Sequence, residues 1–291
     1  MRRDYGKYFF ALFISIFLTT SLYAAQSSIT EADGTSCMGE DRTKKQTMEG
    51  ALADAKRRAA EYTLTYLKSE TVVNKYELEK DLIAAYANAS IKIIEEMEKK
   101  WYKDESLGDC FKIKIKAEVV PDEKGMEKIS QNKESVDDPS APLNVKVWTD
   151  KKEYKGNEKI KVYIKGNKPF YARVIYKDAG GSMVQLLPNP HRDNNYFNGG
   201  VIYEIPSGED KFELEVSPPF GSENVMVYAS TSPLGDINLE TEGGIYQVKT
   251  KEADVGDRTR GVKIMGKEKA KESMPVPSEF FENTLTLKTI Q

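Results

Sequence analysis

The amino-acid sequence predicts an α+β protein, a small two-helix domain on a β-sheet followed by an antiparallel β-sandwich domain. Three observations carry this. Apolar residues recur at three-to-four spacing through residues 44–100, the period of an amphipathic helix. From Leu143 onward short alternating runs follow one another with turn residues between them. Between these regions, residues 121–142 hold few large apolar side chains, many charges, and Pro139 and Pro142 near the end, the composition of a linker. The domains expected are therefore 26–120 and 143–291.

The N-terminus comes first. Arg2, Arg3 and Lys7 precede the apolar run YFFALFISIFL, which has the length of a secretory h-region and is short for a bilayer span. The small residues Ala24 and Ala25 follow, with no cysteine beside them, so residues 1–25 are read as a cleaved signal peptide without a lipid anchor. An uncleaved signal anchor is the alternative. The expected location is periplasmic or secreted, with no transmembrane segment after cleavage.

Helix one is expected over about Lys44 to Lys68, because Met48, Ala51, Leu52, Ala55, Ala59, Tyr62 and Tyr66 share one face. Helix two is expected from Glu77 to Lys100, with Leu78, Leu82, Tyr86, Ala89, Ile93 and Met97 aligned and the EEMEKK end in solvent. The period then changes to two. In GDCFKIKIKAEV, Phe111, Ile113, Ile115, Ala117 and Val119 alternate with Lys112, Lys114, Lys116 and Glu118, a half-buried strand with its lysine row outward. That row reads as a solvated face that also discourages strange pairings, rather than as a seat for an anionic polymer or lipid headgroup.

Cys37 and Cys110 are the chain's two cysteines, so an exported chain has one possible intramolecular disulfide. Cys37 precedes helix one and Cys110 opens the lysine-bearing strand; a neighbouring first strand would bring them together, and the spacing excludes a CxxC redox pair.

In the second domain the runs LNVKVW, KIKVYIK, YARVIYKD, MVQLLP, GVIYEIP, FELEV and NVMVYAS are expected strands. DAGG at 178–181 suits a hairpin, and SGED at 207–210 and PPFG at 218–221 suit looser reversals. IYQVKT, GVKIM and the terminal TLTLKTI are further candidates, the last returning to complete a sheet after a charged insertion at 266–279.

Residues 145–206 and 217–230 closely resemble the domain of unknown function 4384. The resemblance rests on Tyr154 and Gly156 before a strand, Tyr171 opening the next, Asp178 and Gly180 in a hairpin, and Pro188 with Asn189 closing an apolar strand. Asn194 and Asn195 in the following loop, Pro206, and Pro219 with Gly221 complete it. Here Asn157 stands between Gly156 and Glu158, where the family's acid follows its glycine directly. The resemblance implies a β-rich, envelope-associated module and no settled activity. Residues 26–120 more loosely resemble the N-terminal domain of flagellar assembly protein T and related small lipoproteins, in architecture alone. This implies a link to envelope assembly.

Chemistry-bearing motifs are few. The chain has 43 Lys plus Arg against 46 Asp plus Glu, net −3, which does not suit a nucleic-acid partner needing clustered basic surface. His191 is its one histidine, so any Ser-His-Asp or Cys-His site would have to form around it, and both cysteines are expected to be oxidised. Ser182 lacks a nucleophile-elbow setting, and no HExxH, phosphate-cradling glycine loop or zinc-type cysteine cluster occurs. Glu204, Glu213 and Glu215 alternate with apolar residues on a solvated face, which does not suit paired-carboxylate glycan hydrolysis. No catalytic residue, cofactor or metal ligand is assigned.

The candidate partner or ligand loop is PNPHRDNNYFNGG, with His191, Asp193, Asn194, Asn195, Tyr196, Phe197 and Asn198. Its Asx oxygens could hold calcium or cap their own turns, and Tyr196 and Phe197 could anchor a partner, stack on sugar or tuck beneath the loop. The expected function is a non-catalytic cell-envelope protein acting in protein–protein interaction or assembly. The alternative is a periplasmic binding module for a small ligand or cell-wall glycan. Other envelope proteins are the expected partners.

Overall fold

The computed structural model describes residues 25–70, 76–131, 137–261 and 276–291. Apart from Ala25, the expected signal peptide lies outside the described residues, as do most of the GVKIM run and of the charged insertion at 266–279. The elements of the first half are β1 (Ala25–Cys37), α1 (Lys44–Glu70), α2 (Tyr76–Ala87), β2 (Ser90–Asp104), β3 (Gly108–Val120) and α3 (Glu123–Gln131). The second half contributes β4 (Val145–Thr149), β5 (Glu153–Lys155), β6 (Val162–Gly166), β7 (Phe170–Lys177), β8 (Met183–Leu187), β9 (Tyr196–Phe197) and β10 (Tyr203–Ile205). It continues with β11 (Ser222–Ser230), β12 (Leu239–Glu242), β13 (Ile245–Val248), α4 (Glu252–Thr259) and β14 (Ser278–Ile290).

The fold is α+β, and both halves share one sheet. Its path runs β12-β13-β8-β7-β11-β14-β1-β3-β2, with β5 parallel to β14 and β9 beside β7. A second sheet, β10-β6-β4, covers part of it. The C-terminal strand β14 joins the halves, pairing antiparallel with β11 along Lys288 to Phe280 and with β1 along Glu282 to Ser278.

Alternation assigns the two faces of this sheet. On one face, Val145, Val162, Ile164 and Ile205 of the small sheet meet Phe170, Val174, Val227 and Phe281, the core of the sandwich. On the same face of β1 and β3, α1 to α3 cover Ala32, Ile113, Ile115 and Ala117. The other face packs Ile175, Tyr228 and Phe280 under Leu234, Ile237 and Val255 of α4. Helix α1 lies close because Ala51, Ala55 and Ala59 form its buried stripe and because Gly34 of β1 has no side chain. A Cβ there would sit 2.1 Å from the Ala51 carbonyl oxygen.

Buried polar groups tie the halves together. Glu279, 2 % exposed, accepts the Leu143 backbone N–H and pairs with Lys168 at 2.8 Å. Glu118, also buried, accepts from Ser27 at 2.6 Å and pairs with Arg260 at 2.6 Å; the Arg260 guanidinium lies over the Phe280 ring. Residues 121–142, expected as a linker, carry α3, whose Met126 and Ile129 are buried, and then Ala141, held with its neighbours by Asn167. The Asn167 amide donates to the carbonyls of Asp138, Ala141 and Pro142. So few apolar side chains conceal the packing because backbone groups and small residues do most of it.

Helix two is shorter than expected. It ends at Ala87, and residues 90–104 form β2 along β3. A spacing of four, as in Ala89, Ile93 and Met97, satisfies both a helical and an alternating period. The β-branched Ile91, Ile93 and Ile94 suit a strand, and pairing with β3 selects it. Ile91 and Ile93 stand opposite Val119 and Ala117 on the helix-covered face. The FELEV run forms no regular strand; it is a strap bonded to residues 157–160, through Ile160 N–H to the Leu214 carbonyl and Val216 N–H to the Glu158 carbonyl.

Candidate functional site

At the end of the β1 and β3 ladder, Cys37 stands opposite Cys110 and the two are joined by a disulfide. The lysine row on this strand is occupied within the fold. Lys114 pairs with Glu31 at 2.7 Å and Lys112 with Asp33 at 3.5 Å across the β1 and β3 pairing. Lys116 is partly buried, and that burial pushes its pKa down against the opposing pull of Glu31 and Glu95. A row whose charges are met by its own neighbour has little field left for an external anion.

The 188–200 loop is held by its own groups. Asn189 is buried; its side-chain oxygen accepts the His191 and Arg192 N–H groups, and its amide donates to the Leu186 carbonyl. Arg192 pairs with Asp210 at 3.0 Å. The Asn194 side chain accepts the Tyr196 N–H, the Asn195 carbonyl accepts the Ala172 N–H, and the Asn198 N–H donates to the Tyr203 hydroxyl. Asp193 is exposed. Tyr196 leans on Tyr171 at the surface, whereas Phe197, 1 % exposed, stacks on Phe170 in the core. Of the alternatives open to these two rings, Phe197 takes the one beneath the loop and is no surface anchor, because the two-residue strand β9 alternates Tyr196 out and Phe197 in. Of the seven candidates His191 alone reaches the concave site. Among the described residues, no group of three or more His, Cys, Asp or Glu side chains is placed to hold a metal ion.

That concave site is a cleft of about 320 Å³. Strands β7, β8 and β11 form one wall, the strap 212–219 the other, and Gly244 with Ile245 closes an end. Its aromatic surface comes from Tyr176 and Phe212, with the His191 ring stacked on Phe212 at 6.5 Å between centroids. Behind Tyr176 lies Glu223, 2 % exposed, which accepts from the Tyr176 hydroxyl and, at 2.8 Å, from Thr289. Burial, and then the hydrogen bond to Glu223, hold the Tyr176 phenol protonated well above its ordinary range. Among the described residues no carboxylate is paired with the His191 ring.

Sequence reasoning named none of Tyr176, Gln185, Phe212, Glu223 or Ile245 as site residues. They come from separate strands and a strap, and each reads locally as an ordinary member of an alternating run. The nearest signal was FELEV beside Pro218 and Pro219, an alternating run too close to paired prolines to be a full strand.

A second concave surface lies between the start of α1 and the β2 and β3 hairpin. Met48, Leu52, Phe111 and Ile113 line it, with Lys45, Glu49, Glu96 and Lys99 around them. Trp101 stands nearby, 37 % exposed, tilted against Phe111 and beneath the Lys44 ammonium.

Fold and cleft together define an α+β protein that carries a concave site on a β-sandwich. Residues 153–233 match the family model of the domain of unknown function (DUF4384). That stretch supplies the cleft lining except for Gly244 and Ile245. The likeness of residues 26–120 to flagellar assembly protein T gains no support from the comparison. No curated protein and no solved structure matches the chain.

Proposed function

We propose that the chain is an exported, non-catalytic cell-envelope protein, a protein–protein interaction or assembly module that receives part of its partner in the cleft. The cleft carries this reading: it is concave, walled by aromatic and apolar side chains, edged by polar groups, and built within the family-matched segment apart from Gly244 and Ile245. The apolar N-terminal run and the Cys37–Cys110 bond support an oxidising location. The unpartnered His191 ring supports binding over catalysis. In this reading the disulfide-bonded half is a second docking surface, supported by the exposed Trp101 and Met48.

A photo-crosslinking side chain at Ile245, on the cleft rim and 41 % exposed, tests this in the native envelope. The expected result is a discrete adduct with another envelope protein that is missing when the probe sits at Ile202, which is exposed and outside the cleft. No discrete adduct at Ile245, or the same adducts from both positions, contradicts the proposal.

A further inference from the structure

We infer that the group received by the cleft is a cation on an aliphatic stem, an ammonium or guanidinium such as a partner's lysine or arginine side chain. This rests on the cleft being the binding site, and three properties of its lining carry it further.

The first is charge. Asp178, Glu213, Glu215 and Glu223 line the cleft and no lysine or arginine does. Clefts lined by one sign of charge between low-dielectric walls focus the field and concentrate the opposite sign.

The second is the balance of donors and acceptors. Three side-chain donors of the wall are spent internally: the Tyr176 hydroxyl on Glu223, the Gln185 amide on the Pro188 carbonyl at 2.6 Å, and the Asn189 amide on the Leu186 carbonyl at 2.6 Å; the Ser182 and Ser217 hydroxyls and the His191 ring line the cleft beside them. Of the four carboxylates, Glu223 is spent on Tyr176 and Thr289, and the other three keep capacity. Glu215 makes no side-chain hydrogen bond or ion pair among the described residues. Asp178 uses Oδ1 on the Ser182 N–H, which leaves its other oxygen for a ligand, and Glu213 pairs at the exposed rim with Lys159. An ionised carboxylate accepts and cannot donate, so these three complement a donor, as ammonium and guanidinium are. An anion would meet four carboxylates.

The third is the apolar surface. Phe212, Leu214 and Ile160 offer a bed for methylene groups, and the Phe212 and Tyr176 rings attract a cation placed over them. A charged head with a greasy stem uses both parts of the wall.

Backbone amide shifts of the full chain, with the disulfide intact, test this by titration with four probes. These are N-acetyl-lysine amide, N-acetyl-norleucine amide as its uncharged counterpart, 1,5-diaminopentane as a free amine, and N-acetylglucosamine. The lysine probe should move amides of 182–191, 212–219 and 244–245. The norleucine probe should leave them nearly still. Glu213→Gln with Glu215→Gln, two exposed positions, should weaken lysine binding by about tenfold, and added salt should weaken it further. A response to 1,5-diaminopentane as strong as that to the lysine probe would make the ligand a free amine, overturning the partner side chain while keeping the cation. An equal or stronger response to norleucine or N-acetylglucosamine would overturn the cationic class and leave the cleft as a binding site. No response to any probe would overturn both.

Discussion

Glu279→Ala is expected to destabilise the fold by about 3–5 kcal/mol, the usual cost of removing one partner from a buried ion pair. Glu279 is 2 % exposed on β14, while Lys168, 8 % exposed, comes from the turn before β7, and the accepted N–H belongs to Leu143 at the entry to the sandwich. Removing the carboxylate leaves an ammonium and a backbone donor buried without a partner. Replacing both ends, Lys168→Met with Glu279→Leu, should cost clearly less, because no charge is stranded. Urea midpoints at constant m-value check this. A loss under 1 kcal/mol for Glu279→Ala would show that the carboxylate is hydrated and that the junction is looser than described.

Removing the disulfide is the second large effect. Cys37 and Cys110 are 73 residues apart in sequence, and in the chain-entropy model a loop of that size stabilises by at most about 4 kcal/mol. The cysteines face each other at the end of a long antiparallel ladder, so Cys37→Ser with Cys110→Ser should lower stability by about 2–4 kcal/mol without changing the strand pairing. The check is chemical denaturation of the double variant against the oxidised chain, alongside the same chain under reductant. Equal stability in all three would remove the bond from any structural role and take with it the strongest structural support for an oxidising location.

Elements whose chemistry is local were legible in the sequence. The Phe111 to Val119 alternation forms β3, the Ala51, Ala55 and Ala59 stripe packs α1 on the sheet, and β4, β6, β7, β8 and β11 lie where alternation placed them. Two cysteines had one way to pair within the chain. What was not legible depends on contacts remote in sequence. TLTLKTI reads as a strand, but nothing in it says that the strand starts earlier, at Ser278, or that Ser278 to Glu282 insert beside β1 from the opposite end of the chain. Residues 90–104 satisfy two periods at once, and only the partner strand β3 selects between them. The cleft was out of reach for the same reason, since Tyr176, Phe212 and Glu223 meet only after β7, the strap and β11 have been brought together. The Asn-rich loop drew notice because its residue types suit ligands, yet those types also suit turns, and here Asn189 and Asn194 serve the backbone.

The central claim is that one sheet, joined at β14, holds the disulfide-bonded half and the cleft-bearing half as a single unit. The chain's two tryptophans report on it separately: Trp101 on β2 against Phe111, and Trp148 on β4 stacked on Tyr163. Urea unfolding of Trp101→Phe and Trp148→Phe, each followed by the remaining indole, is the direct test. Coincident transitions, shifted together when Glu279→Ala is added, are the predicted result; two separate midpoints, with Glu279→Ala moving only one, would contradict it.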